Sequence, residues 1–194
     1  MRKETIAAFD FDGTITRKDT LLEFIKFSKG TFRFYFCFIL FLPLLIAMKL
    51  KLLPNWKVKQ LVFTHLYKGV SLEVFNKWCF DFNIVTRQKA IDALKLHRES
   101  NDKIIIVSAS IENWVKPWAD KMGINTVLAT KIETDKNGLV TGKFLTKNCY
   151  GQEKVNRILE IFPNRNDYKL IAYGDSRGDK ELIEFADEGF YRRF

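Results

Sequence analysis

Three short apolar runs punctuate the chain, and each stops abruptly at a polar residue. They are residues 5–9 before Asp10, residues 103–107 before Ser108, and residues 169–173 before Gly174-Asp175. An apolar run without alternation predicts a strand buried on both faces, as in a parallel sheet. Residues 127–130 predict a fourth such strand, after a helix over 111–122, and further helical patterns cover 152–162 and 178–186. Residues 131–146 alternate in places and carry Asn137-Gly138, a pair favoured in type I′ hairpin turns, so they predict a β-flap beside the site. Ligands of open α/β sheets bind beyond the carboxyl ends of the strands. Asp10, Asp12, Ser108 and Asp175 are therefore expected on one rim.

Residues 21–86 follow a different pattern. Helical periodicity covers 21–29, 32–53, 57–67 and 72–82, with Ser71 placed to cap the last of these. A helical block after the first strand predicts an α/β fold. Its Rossmann-like three-layer core, with a mainly parallel sheet, takes residues 1–20 and 87–194, and an inserted helical cap takes 21–86. Residues 34–48 are an uninterrupted apolar run containing Pro43, with Arg33 before it and Lys49 and Lys51 after it. A spanning helix needs about 20 apolar residues, a length reached only by extending to Leu53 and admitting both lysines, which would snorkel. Three readings stand at this point: a buried cap helix kinked at Pro43, an interfacial anchor, and a span.

Composition narrows the setting. With 32 Lys and Arg against 23 Asp and Glu, the formal charge is +9, which favours phosphorylated substrates, acidic lipids or nucleic acid. The Phe-rich segments suit core or membrane contact better than base stacking, so no nucleic-acid partner is expected. Lys26, Lys29, Arg33, Lys49, Lys51, Lys57 and Lys59 surround the apolar run. On a solvated surface they are unremarkable; at an anionic bilayer each adds attraction of about 1 kcal/mol. Cys37, Cys79 and Cys149 form no CxxC pair, which argues against a disulfide framework and a zinc ribbon. The chain starts without a secretory leader pattern. The expected localisation is cytoplasmic, or peripheral at the inner membrane surface.

Candidate chemistry sits at the strand ends. Asp10 and Asp12 lie just after the first predicted strand and just before Gly13. Two carboxylates forced together are tolerable when a cation lies between them or one is protonated, and Mg²⁺ with oxygen ligands meets that need. The ordinary alternative is a turn in which one of them caps a helix. Gly174-Asp175-Ser176-Arg177-Gly178-Asp179 supplies two more carboxylates after another strand, as metal ligands or as an Asx turn with a helix cap. Ser108 with neighbouring N–H groups is a phosphate site or a simple N-cap. Lys154, at the start of a helix, opposes the helix dipole unless it faces an anion.

Together, Asp10-x-Asp12-Gly13-Thr14, Ser108, Lys154 and Gly174-Asp175-x-x-x-Asp179, in this order, resemble the four motifs of the haloacid dehalogenase superfamily. The helical block, the segment from Cys149 to Lys154 and the ending Ala186-Asp187-Glu188-Gly189-Phe190 are similar to its phosphoserine-phosphatase-like branch. The long apolar stretch in the cap resembles that of phosphatidylglycerophosphatase C-type members. The resemblance implies a Mg²⁺-dependent phosphomonoester hydrolase. The leading substrate expectation is a small or amphiphilic phosphate, in its sharper form a lipid phosphate, and the apolar run with its basic border makes membrane-surface contact through the cap one of the expectations. It implies Asp10 as nucleophile and Asp12 as acid and base. It implies Thr14, Ser108 and Lys154 against the phosphate, and metal held by Asp10, the Asp12 carbonyl and Asp175 with Asp179 in support. Asp12 also argues against dehalogenation, which needs no acid for an alkoxide. A phosphomutase, or a catalytically silent lipid- or protein-binding module of the same fold, are the alternatives.

Overall fold

The computed structural model describes residues 3–194; Met1 and Arg2, the start of the expected core segment, lie outside the described residues. The described residues divide into two compact units, one formed by residues 3–20, 83–130 and 147–194 and the other by residues 21–82 and 131–146.

The first unit is built on five strands, β1 (Glu4–Phe9), β2 (Lys103–Ile111), β3 (Thr126–Thr130), β6 (Tyr168–Gly174) and β7 (Glu188–Tyr191). They lie in the order β3-β2-β1-β6-β7 and every pairing is parallel. β1 occupies the centre, with Ile6 opposite both Lys103 and Leu170. Its continuous apolar character follows from that position, because both faces are covered. Ile6 and Ala8 pack with Ile105, Leu170 and Ala172 against Val155 and Ile158 of α8 (Gln152–Ile161) and Leu182 of α9 (Lys180–Phe185). On the opposite face Phe9 stacks on Tyr173 at 4.5 Å and meets His97 of α6 (Gln88–Glu99) edge-on at 5.8 Å. The expected three-layer α/β core with a parallel sheet is therefore present.

The second unit holds α1 (Thr20–Lys29), α2 (Thr31–Leu40), α3 (Leu42–Lys49), α4 (Asn55–Tyr67) and α5 (Leu72–Asp81), with Ser71 capping α5 as expected. Phe24, Phe63, Tyr67 and Phe75 are its fully buried aromatic centre. Its antiparallel hairpin, β4 (Ile132–Thr134) and β5 (Val140–Phe144), was assigned by sequence to the core as a flap. It instead packs on the helices. Val140 and the Val70–Gly69 backbone exchange hydrogen bonds, Leu72 donates to Gly138, and Thr64 Oγ1 donates to Gly142 O at 2.8 Å. A Cβ at Gly142 would lie 2.6 Å from Thr64 Cα, so this approach needs glycine. Conversely, residues 83–86, taken with the helical block by sequence, belong to the first unit, where Thr86 bridges Thr16.

Three further expectations are corrected. β2 does not stop before Ser108 but runs to Ile111 through an irregular register, and the next helix, α7 (Glu112–Lys121), begins after it. Ser108 is thus a strand residue rather than an N-cap. The Asn137-Gly138 turn is not type I′, because only Gly138 has positive φ (74°). The Asp135 carboxylate accepts from Asn137 N and Leu139 N at 2.9 Å and folds a longer loop instead. The single helix expected over 32–53 is two helices bent by 62° at Phe41, with Pro43 in the first turn of the second. Few of its side chains are covered. Phe34 and Cys37 are buried in α2 and none in α3, which overturns the buried-helix reading. Among the described residues, no single helix is long and apolar enough to cross a membrane.

One buried cation fixes the approach to α8. Arg157, 7% exposed, donates to Ala129 O and Lys147 O at 2.5 Å, tying the end of β3 to the segment that leads into α8. Arg157→Met keeps the apolar stem and removes both donors. It should lower the unfolding free energy by about 1–3 kcal/mol for each carbonyl left without its partner, read as a drop in the urea midpoint at unchanged slope.

Candidate active site

Asp10 follows the last residue of β1, and its N–H donates to Tyr173 O on the neighbouring strand at 2.9 Å. Only 5% exposed, it holds a carboxylate in a place where a charge needs a partner. Lys154 provides one. Despite its place in the first turn of α8, this lysine is 1% exposed, and its ammonium lies 2.5 Å from both Asp10 Oδ1 and Asp179 Oδ1. Burial acts against the charge on Lys154, but Asp10 and Asp179 outweigh it and hold the pKa above the usual lysine value. The lysine is therefore a buried structural cation rather than a solvated surface group.

Asp179, fully buried, is saturated. Its Oδ1 meets Lys154, and its Oδ2 accepts from Ser176 Oγ at 2.7 Å, Ser176 N at 3.0 Å and Asp175 N at 3.2 Å. Burial would raise its pKa, yet Lys154 and the Ser176 hydrogen bonds more than offset this and hold it below the ordinary carboxylate value. Asp175 is half-buried and raised by desolvation and by the Asp179 charge. Thr14 Oγ1 spans the gap, 3.3 Å from Asp10 Oδ2 and 3.5 Å from Asp175 Oδ1. Gly13 makes that proximity possible. Its φ is 78°, and a Cβ there would lie 2.3 Å from Asp175 Oδ2.

Carboxylate oxygens of Asp10, Asp175 and Asp179 all lie within 4.8 Å of one another. Three acids against one lysine leave an excess of negative charge in a mostly buried space. Desolvation pushes the Asp10 pKa up to about 7, with Asp179 and Asp12 adding to it and Lys154 opposing. A hard divalent cation with oxygen ligands suits this donor set and would relieve the repulsion. Mg²⁺ thus fits. Asp10 and Asp175 have oxygens to offer it, whereas Asp179 spends both of its own on Lys154 and the Ser176 turn.

The Asp12 carboxylate points into a separate network. Its Oδ1 accepts from Thr20 N at 2.9 Å and its Oδ2 from Ser110 Oγ. Ser110 and Thr20 hydroxyls are 3.0 Å apart, and Trp114 Nε1 donates to Thr20 Oγ1 at 3.0 Å. Ser108, 1% exposed, accepts from Ser110 N at 3.1 Å. It sits past the end of the ladder that pairs Phe9 with Ile106 and takes part in neither carboxylate cluster through the contacts described. Sequence reading missed Ser110, Thr20 and Trp114, and also Arg87. Arg87 Nε donates to Gly13 O at 3.0 Å and to Thr16 O at 3.3 Å and braces the loop between the two aspartates and α1. The one available signal was the Ser108-Ala109-Ser110 spacing, which puts both hydroxyls on the same side of β2.

The shift on Asp10 has a consequence for stability. In metal-free protein Asp10 binds its proton more tightly folded than unfolded. Its stabilising contribution is then complete below its unfolded value of 3.8 and is lost as pH rises through about 7. With EDTA present, the melting temperature of the native protein should fall between pH 4 and pH 8 relative to Asp10→Asn, and Mg²⁺ should lessen the difference. Parallel profiles for the two proteins would show that Asp10 does not carry this titration.

Comparison with known proteins agrees with this architecture. The chain is 32% identical over 195 residues to protein CicA of Caulobacter vibrioides, covering 97% of this chain and 86% of the relative. It is 29% identical over 206 residues to a probable phosphatase of Mycobacterium tuberculosis, covering 94% of this chain and 67% of that protein. A solved phosphoserine phosphatase carrying a phospho-aspartyl intermediate analogue superposes with a TM-score of 0.67 at 21% identity, over 98% of this chain and 86% of that one, a likeness of fold. The family model for haloacid dehalogenase-like hydrolases matches residues 7–184, the span from β1 through α9, and the chain belongs to that family.

Proposed function

We propose that the protein is a Mg²⁺-dependent phosphomonoesterase that works through an aspartyl-phosphate on Asp10. The observation that carries this reading is the buried Lys154 ammonium held between Asp10 and Asp179 beside Asp175, a donor set whose three acids outnumber its one cation and call for a further positive charge before a phosphate can approach. The named relatives support it: one is called a probable phosphatase, and a structural neighbour is described with a phospho-aspartyl intermediate analogue.

The steps follow from the chemistry of these side chains. Asp10 Oδ attacks phosphorus, forming an acyl phosphate while the bond from phosphorus to the ester oxygen breaks. Asp12, protonated, gives its proton to the departing alkoxide. As a carboxylate it then takes a proton from water, which attacks phosphorus and releases phosphate and the Asp10 carboxylate. Ser110 and Thr20 orient the Asp12 carboxylate through its two oxygens. Lys154, with Thr14 and Ser108, stabilises the phosphoryl oxygens, the electrostatic task that dominates phosphoryl transfer. Mg²⁺, held by Asp10, the Asp12 carbonyl and Asp175 with Asp179 behind them, would supply charge neutralisation between nucleophile and phosphate. In this reading the substrate is a small or amphiphilic phosphate ester.

Hydrolysis of p-nitrophenyl phosphate tests the proposal. It should need Mg²⁺, stop with EDTA, and disappear in Asp10→Asn while the melting curve persists. Activity that survives EDTA or Asp10→Asn would remove the metal or the nucleophile from the scheme. Asp12→Asn should slow both phosphoenzyme formation and its hydrolysis by about 10²–10⁴-fold, seen by rapid-quench labelling. Ser110→Ala should act more weakly and shift the pH dependence of kcat, whereas an unmoved pH profile would leave Ser110 a purely structural partner.

A further inference from the structure

The helical unit carries an apolar stripe on its outside. In α2, Phe34 and Cys37 face inward, while Phe32, Tyr35, Phe36 and Ile39 are exposed by 83%, 58%, 59% and 71%. Their spacing of three, four and seven residues places them on one face. A water-facing helix would carry polar residues there. The stripe continues past the 62° bend to Ile46 and Leu50, exposed by 51% and 64%.

Charge identifies what covers it. Residues 24–72 contain eight lysines and arginines and no aspartate or glutamate. This one segment therefore holds eight of the nine net positive charges of the chain, and the remaining residues are almost balanced. Arg33, Lys49 and Lys51 are exposed and flank the apolar helices at both ends. Neither helix can span a bilayer, because ten and eight residues extend about 15 Å and 12 Å against a hydrocarbon core of about 30 Å. Short helices with an outward apolar face and a basic border are suited to lying in the plane of an interface.

We infer that α2 and α3 form a monotopic docking surface for an anionic lipid bilayer, with the aromatic and aliphatic stripe entering the acyl boundary and the surrounding lysines and arginines meeting the headgroups. Exposed side chains carry the contact, so they can be changed without emptying the core.

Co-sedimentation of the full chain with phosphatidylcholine vesicles, with and without 30% phosphatidylglycerol, tests this. Binding should be at least about tenfold stronger to the anionic vesicles and should weaken as salt is raised, because exposed charges are screened over about 8 Å at physiological ionic strength. Phe36→Ser with Ile39→Ser should abolish binding. Lys49→Glu with Lys51→Glu should remove the preference for anionic lipid. Both variants should keep the native melting temperature and the native circular dichroism spectrum. Failure of the native protein to bind anionic vesicles would overturn the inference. So would a native dimer in sedimentation velocity that Phe36→Ser with Ile39→Ser dissociates, since the stripe would then be covered by a second copy. If the serine variant unfolds, Phe36→Lys alone, at a position 59% exposed, repeats the comparison on a single solvent-facing side chain. Unchanged binding by that variant in its folded state would also overturn the inference.

Discussion

The buried ammonium of Lys154 is the interaction on which the catalytic unit depends. It lies within hydrogen-bond distance of Asp10 and Asp179, groups 144 and 25 residues away in sequence. Without it, two desolvated carboxylates would face each other beside Asp175, and such a cluster could ionise only at a cost of several kcal/mol per unpaired charge. The cation carries α8 with it, and Arg157, one turn further along, anchors the same helix to Ala129 and Lys147. The parallel sheet supplies the rim, and these two cations determine how the helix above it is seated.

Asp10 and Asp12 are two residues apart and yet have opposite surroundings. Asp10 is buried among acids and one lysine, so its protonation answers to the local charge balance. Asp12 accepts from the Thr20 amide and the Ser110 hydroxyl. Gly13 lets Asp175 come close to the turn, and Arg87 holds the Gly13 and Thr16 carbonyls. A nucleophile and an acid–base group need unlike environments, and this turn provides them within one short loop.

Much of this was readable from the residues, and the reasons are physical. β1, β2, β3 and β6 were legible because a buried parallel strand is apolar on both faces, and the aspartates because they interrupt those runs at the rim; β7, mostly exposed at the sheet edge, carries no such run. The end of β2 was not legible. Ser108, Ala109 and Ser110 are small, carry no strand signal of their own, and fall in the irregular stretch between Val107 and Ile111, the residues at which β2 pairs with β3. The hairpin at 131–146 has ordinary hairpin chemistry, and nothing in its own residues shows that Gly142 meets Thr64 on a helix. Arg87 and Trp114 were missed because a lone donor acquires meaning only from the distant acceptor it reaches. The break at Phe41 is half-visible, since Pro43 marks it, but the resulting exposure of α2 depends on which neighbours are there to cover it.

The place of β1 in the sheet sets an order of events during synthesis. Its partners are β2, about 100 residues away, and β6, whose Leu170 faces Ile6. Closing a loop of that length before any contact rewards it is slow. A nascent chain that has emerged only as far as β3 presents β1 with one open edge, an apolar ladder lacking its second neighbour. The central strand of the sheet is thus among the first made and among the last to be enclosed. The interval between those moments is when the chain is most exposed to wrong strand pairing and to chaperone capture.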